Sequence, residues 1–257
     1  MKRFLLILIA AVSIGAPRAF AQEALKHAAL GVTAGLDGIG IEAATALGDH
    51  FQLRAGYALM PFTYSKNLNL GTGTVIGQKR DFSNIPVTVK MWYGGNGNLM
   101  ANWFPGDGSF HLTAGLFAGS GKLLKGDVDV TRVIKSDEWG RVAVAFDNGV
   151  SFSTDVNGIA HADAVVLKVM PYVGIGLGHA VGNGPVSFSL DLGALITGGA
   201  KPQVYNYVKN TMDSSNPVES TQLTSAMVNN KDKGWIDKIG KIPVFPMLKV
   251  NVFVALF

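Results

Sequence analysis

Cysteine is absent from this 257-residue chain, and charged residues are few. Without cysteine the protein has no disulfide, no thiolate metal ligand and no cysteine nucleophile. Charged residues make up only 16% of the sequence, yet no apolar run reaches the roughly 18 residues of a membrane-spanning helix. Glycine is abundant at 32 residues and the mean hydropathy is positive. This composition excludes a disordered chain.

The N-terminus has the pattern of an export signal. Two basic residues precede a short apolar run at 4–14, and Ala19-Phe20-Ala21 fits an A-x-A cleavage site. A membrane anchor is the alternative, but the apolar run is too short to span a bilayer. We therefore predict a signal peptide at 1–21 and one barrel domain at 22–257.

The basic isoelectric point, near 9.2, is partly a property of that signal. Removing Lys2, Arg3 and Arg18 from the 22 basic residues leaves 19, against 18 acidic ones. A nearly neutral chain lacks the overall basic surface of a nucleic-acid-binding protein. We expect no nucleic-acid partner.

The last twelve residues show the clearest strand pattern. Every second residue from Leu248 to Leu256 is aliphatic, whereas Lys249 and Asn251 lie between them. One face of such a strand suits an apolar solvent and the other can hold polar groups. Seven further segments alternate in the same way, which gives eight predicted strands at 27–36, 39–47, 51–60, 87–104, 110–118, 165–178, 186–196 and 246–257.

The connections between these strands alternate in length. Tight turns at Gly48, Pro105 and Gly182 separate strand pairs, and the long polar connections are 61–86, 120–163 and 197–240. Short turns on one side and long loops on the other are typical of outer-membrane barrels. We predict an all-β fold, an eight-stranded antiparallel up-and-down transmembrane β-barrel with short periplasmic turns and long extracellular loops.

Three details of this prediction have alternatives. Residues 94–97 interrupt the fourth strand, either as a bulge in one long strand or as a small separate hairpin. Ten strands would result if the hairpin at Asn148-Gly149 crossed the membrane. Phe257 is out of phase with the aliphatic face of its strand, so it turns at the rim or follows a bulge.

A soluble lipocalin-like barrel would show the same alternation with its apolar face turned inward. Three features favour the membrane. The less apolar faces carry Gly, Ser, Thr and opposite charges, which suits a small polar lumen. The chain ends in an aromatic residue. Aromatic residues also lie on the apolar face near strand ends, as in an interfacial girdle: Phe51, Tyr57, Trp103, Phe110 and Phe188.

Four segments carry a family resemblance. The Gly31–Gly56 region with its Asp37-Gly38-Ile39-Gly40 turn, the hairpin around Asn102-Trp103-Phe104-Pro105, the 171–178 strand and the C-terminal strand resemble small outer-membrane β-barrels of Gram-negative bacteria of the Bacteroides group. The broader architecture is similar to the OmpA transmembrane domain and OmpX. The resemblance covers the strands but not the long loops. It implies an outer-membrane location and no particular chemistry.

The predicted inner faces gather polar residues. Glu42 and Arg54 flank the Gly48 turn at equal distances, so a three-residue loop would place them opposite each other. Asp191 and Lys249 lie on adjacent strands at mid-depth, and we expect them to pair inside the barrel. Such residues could form a gated ion path or a catalytic cluster. They could instead be paired side chains that fill a narrow eight-stranded barrel, and we favour this structural interpretation. The predicted lumen network is Glu42, Arg54, Asn102, His111, Lys168, Asp191, Lys249 and Asn251.

Other motifs are weak. Gly119-Ser120-Gly121-Lys122 lacks the spacing of a P-loop, and no G-x-S-x-G elbow occurs. His161 and Asp163 supply two metal ligands at most, so a solvated loop is the better interpretation. Trp235-Ile236 among lysines predicts a short amphipathic segment that covers the rim or touches lipopolysaccharide phosphates.

These observations predict an exported, non-enzymatic outer-membrane protein of a Gram-negative bacterium. Its long loops would bind surface partners or pack against lipopolysaccharide, and its C-terminal strand would engage the barrel-assembly machinery. A lipid-modifying enzyme and a narrow solute transporter are the alternatives. We expect no catalytic residue, no metal and no cofactor.

Overall fold

Alternating side chains and glycine-rich turns organise this chain into β-strands. The computed structural model describes residues 27–146, 150–207, 219–222 and 243–256. In chain order the strands are β1 Ala28–Gly35, β2 Gly38–Ala46, β3 Phe51–Leu59, β4 Thr63–Leu68, β5 Thr72–Val75, β6 Gln78–Asp81, β7 Ile85–Met91, β8 Asn96–Trp103, β9 Phe110–Gly119, β10 Lys122–Asp129, β11 Ala143–Phe146, β12 Ser151–Ser153, β13 Ile159–Val165, β14 Val169–Gly178, β15 Val186–Ile196, β16 Lys201–Asn206, β17 Glu219–Gln222 and β18 Val244–Ala255.

Eight of these strands form a closed antiparallel barrel. Its order is β1-β18-β15-β14-β9-β8-β3-β2, so every barrel strand pairs with its neighbours along the chain and β18 closes on β1. Val32 lies opposite Val252 in the closing pair. The predicted eight-stranded up-and-down barrel is therefore confirmed.

The outer surface of the barrel is aliphatic. Val32, Leu99, Ile175 and Val250 are each about half exposed, as are their neighbours on the same face. On β9 the outward apolar residues run from Phe110 to Ala118, about 27 Å along the strand, which at the usual tilt covers about 20 Å of height. Such a belt matches the hydrocarbon-facing band of a membrane barrel and is unlike the polar exterior of a lipocalin. Among the described residues, no helix has the length and apolarity to cross a bilayer.

Above one end of the barrel the wall continues as a second sheet, which we call the wall sheet. Its order is β17-β16-β13-β10-β7-β4. Five of its strands adjoin barrel strands along the chain, such as β4 after β3 and β10 after β9, and they keep the same lateral order. The wall sheet is thus an upward extension of one side of the barrel, and we call this end of the molecule the wall end and the opposite end the turn end.

A smaller sheet, β12-β11-β5-β6, packs beside the wall sheet. Their shared hydrophobic core contains Val75, Phe82, Ile85, Val130 and Val144, all nearly inaccessible to solvent. The long connections predicted at 61–86 and 120–163 therefore contain a folded structure with a core of its own. The sequence predicts a polar loop at 61–86 and only short hairpins within 120–163, because the alternating runs there are too short to cross a bilayer.

Two predicted strands are wrong in extent. The segment 87–104 is neither one bulged strand nor a local hairpin, because β7 belongs to the wall sheet and β8 to the barrel. The break follows from backbone geometry, since Trp92, Gly94 and Gly95 all have positive φ. Likewise β13 ends at Val165 and β14 begins at Val169.

The hairpin of β11 and β12 lies in the smaller sheet, so the barrel has eight strands rather than ten. The signal peptide, Asn148-Gly149, Trp235-Ile236 and Phe257 lie outside the described residues.

Candidate functional site

The barrel lumen contains a buried network of charged and polar side chains. Glu42 comes from β2, Arg54 from β3, His111 from β9 and Asp191 from β15, and each is at most 1% exposed. They face inward because each occupies the strand phase opposite the lipid-facing aliphatic residues. Three further predicted members share this burial, namely Asn102, Lys249 and Asn251.

Arg54 is the centre of the network. Its Nε and Nη2 donate to Oε2 of Glu42 at 2.9 and 2.7 Å, and its Nη1 donates to Oδ2 of Asp191 at 2.7 Å. The guanidinium group also lies 5.6 Å from the centre of the Phe253 ring. A planar, permanently charged group that pairs with two carboxylates suits a buried site.

Lys249 supplies the second cation. Its Nζ donates to Oε1 of Glu42 at 2.6 Å and lies 3.5 Å from Oδ2 of Asp37, which is fully buried. Asp191 lies directly opposite Lys249 in the strand register, but its described ion partners are Arg54 and His111. The pairing predicted from adjacency is therefore wrong, because side chains inside a closed barrel also reach strands that are not neighbours.

The register at the Gly48 turn also differs from the prediction. Glu42 lies opposite Gly56, and Arg54 lies opposite Ala44. The turn is centred on Asp49 rather than on Gly48, which shifts the register by two and keeps both side chains on the inner face. Gly56 permits this arrangement, because a Cβ there would collide with the side chain of Glu42.

Asp191 makes two further contacts through its carboxylate. Nε2 of His111 lies 2.9 Å from its Oδ1, and Nδ2 of Asn251 donates to its Oδ2 at 2.7 Å. Nearby, Thr113 donates to the side-chain oxygen of Asn102 at 3.1 Å. Strands β2, β3, β9, β15 and β18 thus contribute to one connected set of ionic and hydrogen-bonding groups.

The prediction that Lys168 belongs to the lumen network is wrong. It lies in the bend between β13 and β14 and is exposed to solvent. Its alternation matches that of the inward residues Met170 and Tyr172, but the barrel strand begins only at Val169. A residue beyond the strand end does not project into the lumen.

The turn end of the lumen is closed by the turn that follows β14. Gln52 accepts hydrogen bonds from the backbone N–H of Ala180 and Val181 and donates to the Val181 carbonyl. Ala180 is fully buried there, beside Phe253. The ring of Phe104 stacks on His179 with 4.5 Å between ring centres. This layer seals the network from the turn end.

The wall end of the lumen is closed by apolar side chains. The largest are Trp92, Met100, Phe117 and Tyr172, all at most 3% exposed. The indole N–H of Trp92 donates to the backbone carbonyl of Leu36 at 3.0 Å, which ties the wall sheet to the β1–β2 hairpin. The same cluster includes Val166, Met170, Leu195, Ala200 and Met247.

The sequence did not identify three residues that matter here: Asp37, Gln52 and Trp92. The sequence indicates only a turn at Asp37, and Gln52 and Trp92 have partners that are distant in sequence. The local signal for such residues is strand parity, that is, which face of the strand a position occupies. Gln52, for example, occupies the same inward face as Arg54. Parity predicts the direction of a side chain and not its partner.

A second polar cluster lies on the wall sheet. Nδ1 of His161 lies 2.6 Å from Asp127, and Nε2 lies 3.4 Å from Asp155. Asp163 binds Lys122 at 2.5 Å and accepts a hydrogen bond from Tyr205 at 2.7 Å. Within the described part of the chain, no three His, Cys, Asp or Glu side chains are grouped as metal ligands.

Burial opposes the charge of Lys122, but its hydrogen bond to Asp163 prevails and raises the pKa of Lys122. Burial also opposes the charge of Asp155, and backbone N–H donors from Ile159 and Asn157 outweigh it and lower the pKa of Asp155. Both side chains are therefore charged near neutral pH, as structural ion pairs require.

The chain is similar in architecture to solved bacterial outer-membrane proteins. Acinetobacter baumannii CarO matches 88% of this chain and 96% of its own, with 15% identity and a TM-score of 0.47. Acinetobacter baumannii CarO2 covers 89% and 97% with 16% identity and a TM-score of 0.46. A major outer membrane protein of Thermus thermophilus covers 89% and 99% with 11% identity and a TM-score of 0.37.

No protein-family model matches the chain, and no curated protein matches it. With identities and TM-scores this low, the fold assignment rests on the closed eight-stranded sheet of the chain itself.

Proposed function

We propose that this protein is a non-conducting outer-membrane β-barrel of a Gram-negative bacterium that presents the wall sheet and the smaller sheet on the cell surface. The turn end lies in the periplasm and the wall end outside. The short connections at the turn end and the long ones at the wall end support this orientation. In this proposal β18 engages the barrel-assembly machinery, and origin in the Bacteroides group stays a prediction.

The observation that carries the proposal is the closure of the lumen. Three layers fill it in turn: the Gln52–Ala180 layer, the ionic network around Arg54 and the apolar cluster around Trp92. An eight-stranded barrel is just wide enough for side chains to fill. Buried ion pairs and apolar side chains leave little room for water or solutes. The filled lumen therefore supports a structural role over solute transport.

The folded wall end supports a role at the surface. The smaller sheet adds a core of its own, and the Arg80–Glu138 ion pair with 2.6 Å between Nη1 and Oε2 joins it to the 130–142 segment. A rigid surface loses less conformational entropy on binding than a flexible loop would. We therefore propose that the wall end binds surface partners.

The lipid-modifying alternative needs a free base at the lipid-facing rim. His161 is the histidine on the wall sheet, and both of its ring nitrogens contact carboxylates. With neither nitrogen free, His161 is poorly placed to activate a nucleophile. The proposed function is accordingly non-enzymatic.

The absence of cysteine makes the orientation directly testable. Single variants Lys79→Cys in the smaller sheet and Asp107→Cys in a turn-end loop introduce unique thiols at exposed positions. On intact cells a membrane-impermeant maleimide should label position 79, and it should label position 107 only after permeabilisation. The reverse pattern would refute the orientation.

Closure is tested by planar-bilayer recording of the purified protein, with an open porin as a positive control for the assay. Heat-modifiable gel migration verifies that the protein is folded. We expect this folded protein to give no discrete conductance steps. Regular steps from the wild-type protein would contradict a closed lumen. A mature protein that stays soluble without detergent would contradict the membrane barrel itself.

A further inference from the structure

The outer face of the wall sheet changes from aliphatic to cationic just above the barrel. Residues that pair directly across an antiparallel sheet share a face. In the lowest row of this face, Lys122 and Lys201 lie on either side of Val165. The opposite face includes Met91 and Ala164, which pack against the apolar closure of the lumen. The lysines therefore project away from the lumen.

The next row on the same face adds two more lysines. Lys90 lies opposite Lys125, and Lys125 lies opposite Asp163. Lys168, in the bend below these rows, is exposed as well. We call the five residues Lys90, Lys122, Lys125, Lys168 and Lys201 the lysine rim.

Acidic side chains neutralise only part of this rim, since Lys125 lies 3.8 Å from Asp127 and Lys122 lies 2.5 Å from Asp163. The one acid in these two rows, among the residues that the structure describes, is Asp163, and its side chain is fully buried against Lys122 and Tyr205. Lys168 and Lys201 are exposed, and Lys90 is half-buried. The charge that this face presents to its surroundings is therefore positive.

The turn end lacks such a feature. In the described turn-end connections, 47–50, 104–109 and 179–185, the charged residues apart from histidine are Asp49 and Asp107. Positive charge is thus concentrated at one boundary of the apolar belt. A requirement for solubility alone would not place the positive charge at one end of the barrel and leave the other end without it.

We propose that the lysine rim binds the phosphate groups of an outer-leaflet membrane lipid, that is, of a phosphorylated glycolipid. This inference rests on the proposed function, because it needs the wall end to lie at the outer leaflet. Lipid phosphates lie just beyond the hydrocarbon region, at the level where the outer face of the barrel becomes charged. Each lysine near an anionic surface contributes a favourable attraction.

Aromatic neighbours shape the rim. Nζ of Lys125 lies 4.6 Å from the centre of the Tyr93 ring, and Nζ of Lys122 lies 5.1 Å from that of Tyr205. Tyrosine at a membrane interface places its ring at headgroup level. The rim spans strands β7, β10, β13 and β16, a width of roughly 15 Å at the usual strand spacing. This is the scale of a single lipid headgroup and not of a protein interface.

The test compares lipid binding by three forms of the full-length mature protein in neutral detergent. The rim variant is K90Q/K125Q/K201Q, which leaves Lys122 to satisfy Asp163. The matched control K66Q/K79Q/K135Q removes the same charge from exposed positions farther from the barrel. The probe is bisphosphorylated lipid A, compared with the same lipid after its phosphates are removed, and bound lipid is counted by native mass spectrometry.

We expect the rim variant to bind bisphosphorylated lipid A about tenfold more weakly than the wild type, and the control to match the wild type. Removal of the lipid phosphates should abolish the difference. Equal loss in the rim and control variants would show a nonspecific charge effect and overturn the inference. Equal binding by all three forms would also overturn it.

Displacement of the lipid by inorganic phosphate alone would indicate a free-anion site and refute the commitment to a lipid. Barrel folding and closure are measured on the same samples by heat-modifiable migration and bilayer recording. If the barrel folds and stays closed but the rim substitutions leave lipid binding unchanged, the inference fails and the proposed function stands. If the wild type conducts or needs no detergent, the proposed function fails instead.

Discussion

Arg54 and Asp191 meet across the full width of the barrel. Their strands, β3 and β15, are four positions apart in the ring of eight and therefore diametrically opposite. Nevertheless Nη1 of Arg54 lies 2.7 Å from Oδ2 of Asp191. Glu42 and Lys249 extend the same chain of charges to β2 and β18. The network thus braces the barrel internally and blocks its lumen.

The first prediction concerns this brace. Arg54→Ala should lower the free energy of unfolding by about 3–5 kcal/mol, because it leaves Glu42 and Asp191 with less charge compensation in a buried site. Urea unfolding in lipid vesicles, followed by gel migration, measures the change. Arg132→Ala, at an exposed position, should have little effect. Adding Glu42→Gln and Asp191→Asn to Arg54→Ala should recover part of the loss, and no recovery would argue against the charge explanation.

The second prediction concerns the space beside His111. A Cβ at Gly176 would collide with Nε2 of His111, whereas a Cβ at Gly184 would have its nearest neighbour at 3.8 Å. Gly176→Ala should therefore destabilise the barrel by about 1–3 kcal/mol, as overpacking does. Gly184→Ala serves as the matched control. Equal unfolding midpoints for the two variants would contradict the described packing.

The third prediction concerns the smaller sheet at low pH. Hydrogen bonds from Arg80 lower the pKa of Glu138 to about 2, from an ordinary value of 4.5. A carboxylate with a lowered pKa stabilises the folded state above its unfolded pKa, and this contribution is lost as the pH falls from about 4.5 towards 2. The protection factors for amide hydrogen exchange in β5, β6 and β11, which are corrected for the intrinsic pH dependence of exchange, should therefore fall over that interval.

Glu138→Gln is the control for this titration. It should lower the protection factors of the same strands near neutral pH and flatten the dependence of those factors on pH between 4.5 and 2. The barrel strands report on global unfolding in the same experiment. If the variant keeps the wild-type pH dependence, another group is responsible.

The fourth prediction concerns the depth of the barrel in the bilayer. Trp103 is 44% exposed on the lipid-facing surface, directly opposite Phe51, whereas Trp92 is 3% exposed inside the molecule. In single-tryptophan variants with the other tryptophans changed to Phe, brominated lipids should quench Trp103 strongly. Trp92 should be quenched little. Equal quenching would contradict the assignment of inner and outer faces.

Much of the barrel could be predicted from the sequence. Strand parity assigned Arg54, His111 and Asp191 to the inner face and Phe51 and Trp103 to the outer face, because successive side chains in a strand alternate. Parity also included Lys168, which lies outside the barrel because the strand begins one residue later. Parity has no information about where a strand starts.

The partners within the lumen could not be predicted in the same way. Adjacency predicted an ion pair between Asp191 and Lys249, yet Lys249 binds Glu42 and Asp191 binds Arg54. These contacts depend on ring closure, on strand register and on the reach of long side chains. None of these is a local property of the chain.

The smaller sheet was missed for a related reason. Strands such as β5 and β12 are three or four residues long, and their apolar residues become a core only when β7 and β10 are placed beside them. Short segments carry too little periodicity to be distinguished from loops.

The sequence by itself determined the eight barrel strands, their apolar outer face and their polar inner face, because alternation and turn residues act over a few neighbouring positions. Only the tertiary structure decided that the lumen is closed, that the long connections fold into two further sheets and that the five lysines gather on one rim. Each of these depends on segments distant in sequence, brought together when β18 pairs with β1 and the wall sheet continues one side of the barrel.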